Sequence, residues 1–343
     1  MKRYSSFSLL AFSLALIALI GMTMMRSHAD DKTMREPTEK IVVCTTMPIE
    51  QAGLLAAEYE SLRHVRVDFI PLSPSDAMTK LKTDAKSKSN EVDLVLADSS
   101  VLEEAAKDGI FVPYVSEATD SVPDSMKSSD SAWVGTWYDP IVLCFNSDYI
   151  NTLPHVPSTW SELSSFKNIR VGMTDFLAAD AAANFYFSLV ATYGEPSSLK
   201  MMAEIHKSVV QYAKYLSTPV RMAGMGEVDV SIAVLSESIR YMSDGYPVQV
   251  VYPEDGTSYM LTGAGLINED NPRAKEFIEW LLSDEAHLVL ESEGAYFVPA
   301  NQSILAYKMN AGKNMTLFGI RPRLSEKERH DLLDRWVKYV RLQ

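Results

Sequence analysis

Three short β-rich runs, 41–44, 65–70 and 92–96, alternate with two helix-like runs, 49–62 and 75–85. This alternation constrains the fold more than any other feature of the chain. Strand, crossover helix, strand sets successive strands parallel in one sheet with helices against its faces, an α/β architecture. Each strand run ends in small or polar residues just before a helix begins: Thr45 and Thr46, then Ser73 and Ser75, then Asp98, Ser99 and Ser100. In open α/β sheets the binding crevice lies outside the carboxyl ends of the strands, where helix N-termini offer free N–H groups and the positive end of the dipole. Taken singly, each of these residues is an ordinary N-cap; taken together they mark one edge of the sheet as a place for ligand contact.

The ends of the chain set its compartment. Lys2 and Arg3 precede an uncharged run over 4–25, followed by Arg26 and Ser27-His28-Ala29. A basic start, an apolar middle and small residues at the end describe an export signal cleaved after Ala29, with 30–40 as a linker. The same run is long enough to span a bilayer as an uncleaved anchor. A lipid anchor needs a cysteine directly after the signal, and the chain's two cysteines are Cys44 and Cys144. Retention without an anchor then points to the periplasm.

Removing Lys2, Arg3 and Arg26 from the 32 basic residues leaves 29 against 45 acidic ones, a net charge of −16. A surface of that sign excludes nucleic acid as a partner, because phosphate binding needs basic residues. The remainder of a chain of 343 residues exceeds one ordinary domain and suits two lobes. Cys44 and Cys144 sit inside the apolar runs IVVCTT and IVLCFN, as buried free thiols packing like small hydrophobes would.

After Tyr114 a Ser/Asp/Pro-rich connector leads to an aromatic segment and a strand over 141–145. Thr159 with Glu162 three residues on reads as a capping box. A strand over 171–173, a helix over 178–193 closed by Gly194 and a further helix over 199–215 follow. Asn271 and Pro272 open a helix as N-cap and first residue. Its apolar residues Ala274, Phe277, Ile278, Leu281 and Leu282 share one face. Ser283 caps another helix that Gly294 ends.

Six segments in this order, VCTTMPIE, EVDLVLADSSVLEEAAKDGIFVPY, IVLCFNSDYI with PSTWSELSSF, MAGMGEVDVSIAV, YPEDGTSY and NPRAKEFIEWLLSDEAH, resemble the bacterial extracellular solute-binding proteins. The resemblance is to the two-lobed type II receptors for ferric iron, phosphonates, polyamines and thiamine, and covers roughly residues 41–300. It implies two α/β lobes, each a mixed, mostly parallel sheet flanked by helices, joined by crossover strands and closing on a small ligand. Residues 41–138 and 255–343, with the C-terminal helices, would form the first lobe and 139–254 the second. An ABC permease would receive the closed form, or a membrane histidine kinase would sense it. A monomer without cofactor is expected.

Carried over residue by residue, the family's cleft implies Thr45 and Thr46 after the first strand, Asp98 and Ser99 after the third, and Tyr138 and Asp139 in the aromatic segment. Where many relatives wrap an anion with a proline–serine–glycine type loop, this chain has Thr174 to Asp180, Asp175 among them. Where ferric receptors carry adjacent tyrosines it reads Val234-Leu235-Ser236-Glu237-Ser238, and the histidine of the first loop is replaced by Met47 and Pro48. Hard ferric ion needs anionic oxygen ligands, so these departures point away from an iron receptor, which stands as the alternative. Asp98, Asp139, Asp175, Glu237 and Glu254 suit a ligand amine; Thr45, Thr46, Ser99, Ser217, Thr218, Thr257 and Ser258 suit ligand oxygens. Arg221 is the nearby cation for an anionic group, and Trp133, Trp137 and Tyr138 are candidate aromatic walls. The chain has no nucleophile elbow, zinc-protease, P-loop or dinucleotide motif, so binding rather than catalysis is expected, with no catalytic or metal residues.

Overall fold

The computed structural model describes residues 39–87, 91–310, 315–319, 322 and 324–343. The expected signal over 1–29 and the linker up to residue 38 lie outside the described residues. The chain runs β1 (Lys40–Thr45), α1 (Ile49–Arg63), β2 (Arg66–Pro71), α2 (Pro74–Ser87), β3 (Leu94–Asp98), α3 (Ser99–Lys107) and α4 (Glu117–Asp120). The long β4 (Val134–Asn146) leads to α5 (Ser147–Ile150), α6 (Trp160–Ser165), β5 (Val171–Thr174), α7 (Asp180–Tyr193), α8 (Glu195–His206) and β6 (Val209–Ala213). Next come α9 (Ser217–Gly224), β7 (Val230–Val234), α10 (Leu235–Ser243), β8 (Val248–Val251), β9 (Tyr259–Leu266), α11 (Pro272–Leu281) and α12 (Asp284–Ser292). The chain ends with β10 (Val298–Pro299), α13 (Leu305–Met309) and α14 (Glu326–Trp336).

The expected βαβαβ unit forms as read: β1 lies between β2 and β3, parallel to both. β9 runs antiparallel to β3 and to the first half of β4, over Val134 to Pro140. From Ile141 onward β4 changes partners and pairs antiparallel with β7 on one side and β8 on the other, while β5 runs parallel to both β7 and β6. One strand therefore serves two sheets, and the change falls at Pro140, which has no N–H to give the ladder. Two hydrophobic cores follow from this division. The first gathers Ile41, Leu55, Leu94, Trp137, Phe277 and Trp280, the second Leu143, Trp160, Phe176, Phe185, Ile232 and Trp336.

Several elements differ from their sequence reading for identifiable reasons. β4 begins at Val134 rather than Ile141, and Trp133, Trp137 and Tyr138 are buried in the first core. The helix expected over 199–215 stops at His206, and Val209–Ala213 forms β6 instead. The adjacent Val209 and Val210 lose rotamer freedom in a helix and fit a pleated strand. At Thr159 the hydroxyl accepts from the Glu162 N–H at 3.0 Å, but the Glu162 carboxylate accepts from the Ser158 N–H at 2.8 Å, one residue before the expected partner. Gly194, with φ +79°, lets α7 turn directly into α8.

The tail departs furthest. The reading groups 255–343 with the first lobe, yet Leu332, Trp336 and Val340 lie in the second core. Residues 315–319 run beside the crossover, where Phe318 donates from N to the Thr257 carbonyl at 2.8 Å. The chain thus passes back to the second core, because α14 has a buried Trp336 to place and α7, α8 and Phe176 supply the site. Cys44 and Cys144 are free and buried, as read, and burial pushes each thiol up to about 11.

Candidate functional site

The pairing registers place a crevice. β1, β2 and β3 point their carboxyl ends along the direction of β4, whereas β5, β6 and β7 point theirs back against it. Asp98 is level with Thr262 and hence with Trp137, while Val234, the end of β7, is level with Ile141. Four residues along β4 separate the two rims, about 13 Å at the usual strand rise. Asp139 and Pro140 form the floor between them.

On the first rim the expected residues are present but divided. Thr45 is fully buried, its hydroxyl donating to the Leu96 carbonyl at 2.6 Å and accepting from the Met47 N–H at 3.1 Å. Both its hydrogen bonds are spent inside the fold. Thr46 is partly exposed; its hydroxyl donates to Asp98 at 3.3 Å and accepts from the Asp98 N–H at 3.1 Å. Asp98 stands at the N-cap of α3 yet makes no side-chain cap. Burial pushes its carboxyl up to about 6, opposed by the Thr46 hydrogen bond and reinforced by the charge of Asp180 on the facing rim. Ser99, beside it, is partly exposed.

On the second rim Asp175 accepts from the Leu177 N–H at 2.9 Å and from Arg341 Nε at 3.3 Å. Asp180, at the start of α7, accepts from Arg329 at 3.0 Å. Ser217 and Thr218 begin α9, half-buried at the carboxyl end of β6. Arg221 is turned away: its guanidinium meets Glu227 at 3.4 Å and the sulfur of Met225 at 3.0 Å, both beyond the far end of α9. Glu237 pairs with Arg240 one turn along α10, and Glu254 is exposed beside Ser158.

Asp139 accepts from Ser236 N at 3.0 Å and from the Ser236 hydroxyl at 2.6 Å, capping α10 from a strand almost a hundred residues earlier. Burial pushes its carboxyl up to about 7 against those hydrogen bonds, and the charge of Glu237 adds to the rise. Thr257 donates to the Ile141 carbonyl at 2.7 Å and is fully buried. Ser258 Oγ is buried with no hydrogen-bond partner. Tyr138 packs its ring 5.6 Å from that of Tyr259.

Sequence reasoning missed Asp180, Ser236 and Asn184, whose Nδ2 donates to the Tyr259 carbonyl at 3.1 Å and ties α7 to the floor. Asn184 carried a signal, a lone amide in the apolar run AAANFYF; Ser236 and Asp180 carried none apart from their partners.

Of the six helix starts that follow crevice-facing strand ends, α2 is capped by Ser73, whose hydroxyl accepts from the Asp76 N–H at 3.2 Å, and α10 by Asp139; the other four share a property. α1, α3, α7 and α9 begin with no side-chain cap. Among the described helices that do not follow a crevice-facing strand end, α4, α5, α6, α11, α12 and α14 begin with side-chain caps from Ser116, Asn146, Thr159, Asn271, Ser283 and Ser325, α13 is capped by Asp284, and α8 alone begins without one. Uncapped N–H groups and the positive dipole end are suited to anionic or carbonyl oxygens. Among the described residues no group of three or more His, Cys, Asp or Glu converges to hold a metal ion.

A family profile described as bacterial extracellular solute-binding protein matches residues 89–319. An uncharacterised protein of Haemophilus influenzae is 26% identical over 256 residues, 70% of this chain and 73% of that protein. Among solved structures, the periplasmic binding protein AfuA from Actinobacillus pleuropneumoniae, with exogenous fructose-6-phosphate bound, superposes with a TM-score of 0.66 at 19% identity. It covers 89% of this chain and 100% of its own. Iron-bound HitA from Pseudomonas aeruginosa gives a TM-score of 0.65 at 14% identity, over 88% of this chain and 98% of its own. The fold is that of the two-lobed type II periplasmic binding proteins.

Proposed function

We propose a function from one premise: the chain belongs to the bacterial extracellular solute-binding proteins. That family consists of binding proteins of ABC transport, not enzymes, and implies a small-molecule ligand and an ABC permease as receiver. The finer reading is that this chain works in the periplasm and takes a small oxygen-rich organic molecule, carrying a phosphate or carboxylate, into the crevice between Asp98 and Val234. The observation that carries this reading is the convergence of four uncapped helix starts on that crevice, beside the hydroxyls of Thr46, Ser99, Ser217 and Thr218. Residues 139–254 with the C-terminal segment form one lobe in this proposal, and 41–138 with about 255–310 the other.

The likeness to AfuA, a protein with a sugar phosphate bound, supports this ligand class. The likeness to HitA favours iron as the rival. Against iron stand Ser236 and Glu237 in the segment after β7, the first hydrogen-bonded to Asp139 and the second paired with Arg240. Native mass spectrometry of protein purified without refolding decides between them. The expected result is an organic adduct that fructose-6-phosphate or a similar sugar phosphate displaces. Protein that arrives coloured by iron, loses the colour to a chelator and retains no organic molecule would overturn the reading.

A further inference from the structure

The wall of the crevice formed by 174–180 is held from behind by the last turns of the chain. Asp175 directs one carboxylate oxygen into its own turn and the other to Arg341, 166 residues away. The Arg341 guanidinium lies 4.3 Å from the centroid of the Tyr212 ring, on the strand next to Asp175. Phe176 turns inward, fully buried, with its ring 4.6 Å from Trp336 and 5.4 Å from Tyr186. Leu177, the next residue, is 62% exposed. At the far end of the loop Asp180 receives Arg329, from the first turn of α14.

We infer that Arg341, seated on the Tyr212 ring that Trp336 meets edge to face, is a positioning residue for the ligand: the C-terminal segment fixes the shape of the 174–180 loop and cancels the charge of Asp175 at the mouth of the crevice. The inference rests on the reading of that crevice as the binding site. Its physical basis is simple. An aspartate at a strand end that faces uncapped helix N-termini repels any anionic ligand meant for them, unless a cation neutralises it. A guanidinium supported by an aromatic face does so while holding one orientation. Asp175 and Asp180 are each matched by an arginine from the same segment, so the acidic loop that replaces the relatives' small-residue turn meets the ligand without net charge.

The test uses the full chain with Arg341→Met, Arg341→Lys, Asp175→Asn and the double variant Arg341→Met/Asp175→Asn. Without ligand, amide hydrogen exchange in Arg341→Met should quicken at least tenfold at 176–180 and stay unchanged in β1 and β3, with Arg341→Lys between it and wild type. Titration with inorganic phosphate should show several-fold weaker binding in Arg341→Met and recovery in the double variant, because removing both charges restores neutrality. Unchanged exchange at 176–180, a uniform rise over the whole second core, or no recovery in the double variant overturns the inference. Wild-type protein that ignores phosphate counts against an oxyanion site, while the exchange data still decide whether Arg341 holds the loop. Should Arg341→Met fold poorly, a chain ending at Val340 replaces it with the same expected exchange pattern.

Discussion

At the scale of single residues, position in sequence said which strand ends matter and not which way a hydroxyl turns. Thr45 and Thr46 are adjacent candidates of similar chemistry, but side chains alternate across a strand; one is buried with both hydrogen bonds used and the other stands at the rim with Asp98. Thr45→Ala should therefore cost about 1–3 kcal/mol of stability, since it strands the Met47 N–H in the interior and takes the nearer of two donors from the Leu96 carbonyl, leaving it the Thr46 N–H at 3.4 Å. Urea unfolding measures it, and an unchanged midpoint would contradict the assignment. Asp139 makes a sharper case. Its carboxyl is raised in the fold from an ordinary value near 3.8 to about 7 by burial, so between those pH values the folded protein holds a proton that the unfolded chain has lost. Stability is then lost as pH rises through that window and levels off above it. The difference in unfolding midpoint between wild type and Asp139→Asn, followed from pH 4 to 8, should shift against the wild type up to about pH 7; a flat difference would remove Asp139 as the titrating group.

At the scale of elements, what the chain repeats was legible and what it does once was not. The alternation that gives β1, β2, β3 and the helices between them follows from hydrophobic period and capping chemistry, both local. Asn271 and Ser283 cap the helices they were read to cap, donated to by the N–H groups of Arg273 and Ala286. The aromatic segment before Ile141 joined β4 because its partners, β9 and β10, lie more than a hundred residues downstream, and no local pattern reports them. The C-terminal helix was misplaced for the same reason. Its site is the hollow beside Phe176, Tyr186 and Tyr212, which exists only once the second core has formed. Trp336→Ala should empty the centre of that site and cost about 3–5 kcal/mol. Hydrogen exchange would localise the loss, expected in β5, β6 and α7 and absent from β1 to β3; equal loss in both halves would mean that the two cores do not stand apart as drawn.

At the scale of the whole molecule, the two cores are linked by β4, by the return of the chain over 252–258, and by the passage that brings 315–319 beside Thr257. β4 is continuous, yet its hydrogen-bonding partners change between Pro140 and Ile141, so bending there breaks few ladder bonds. The facing rims bring Asp98 and Asp180 near enough for one charge to be felt by the other, and a ligand bridging them, as proposed above, is expected to draw the rims together about this point, as hinged two-lobe proteins do. Closure excludes water from the crevice and makes binding a property of the folded state alone. At a hundredfold excess over Kd, a confirmed ligand should then raise unfolding stability by about 2.7 kcal/mol. Small-angle scattering should show a smaller radius of gyration with that ligand than without it. If the radius stays constant while the stability rises, the ligand binds to one rim only and β4 is a rigid strut; if neither changes, the crevice is not where the ligand sits.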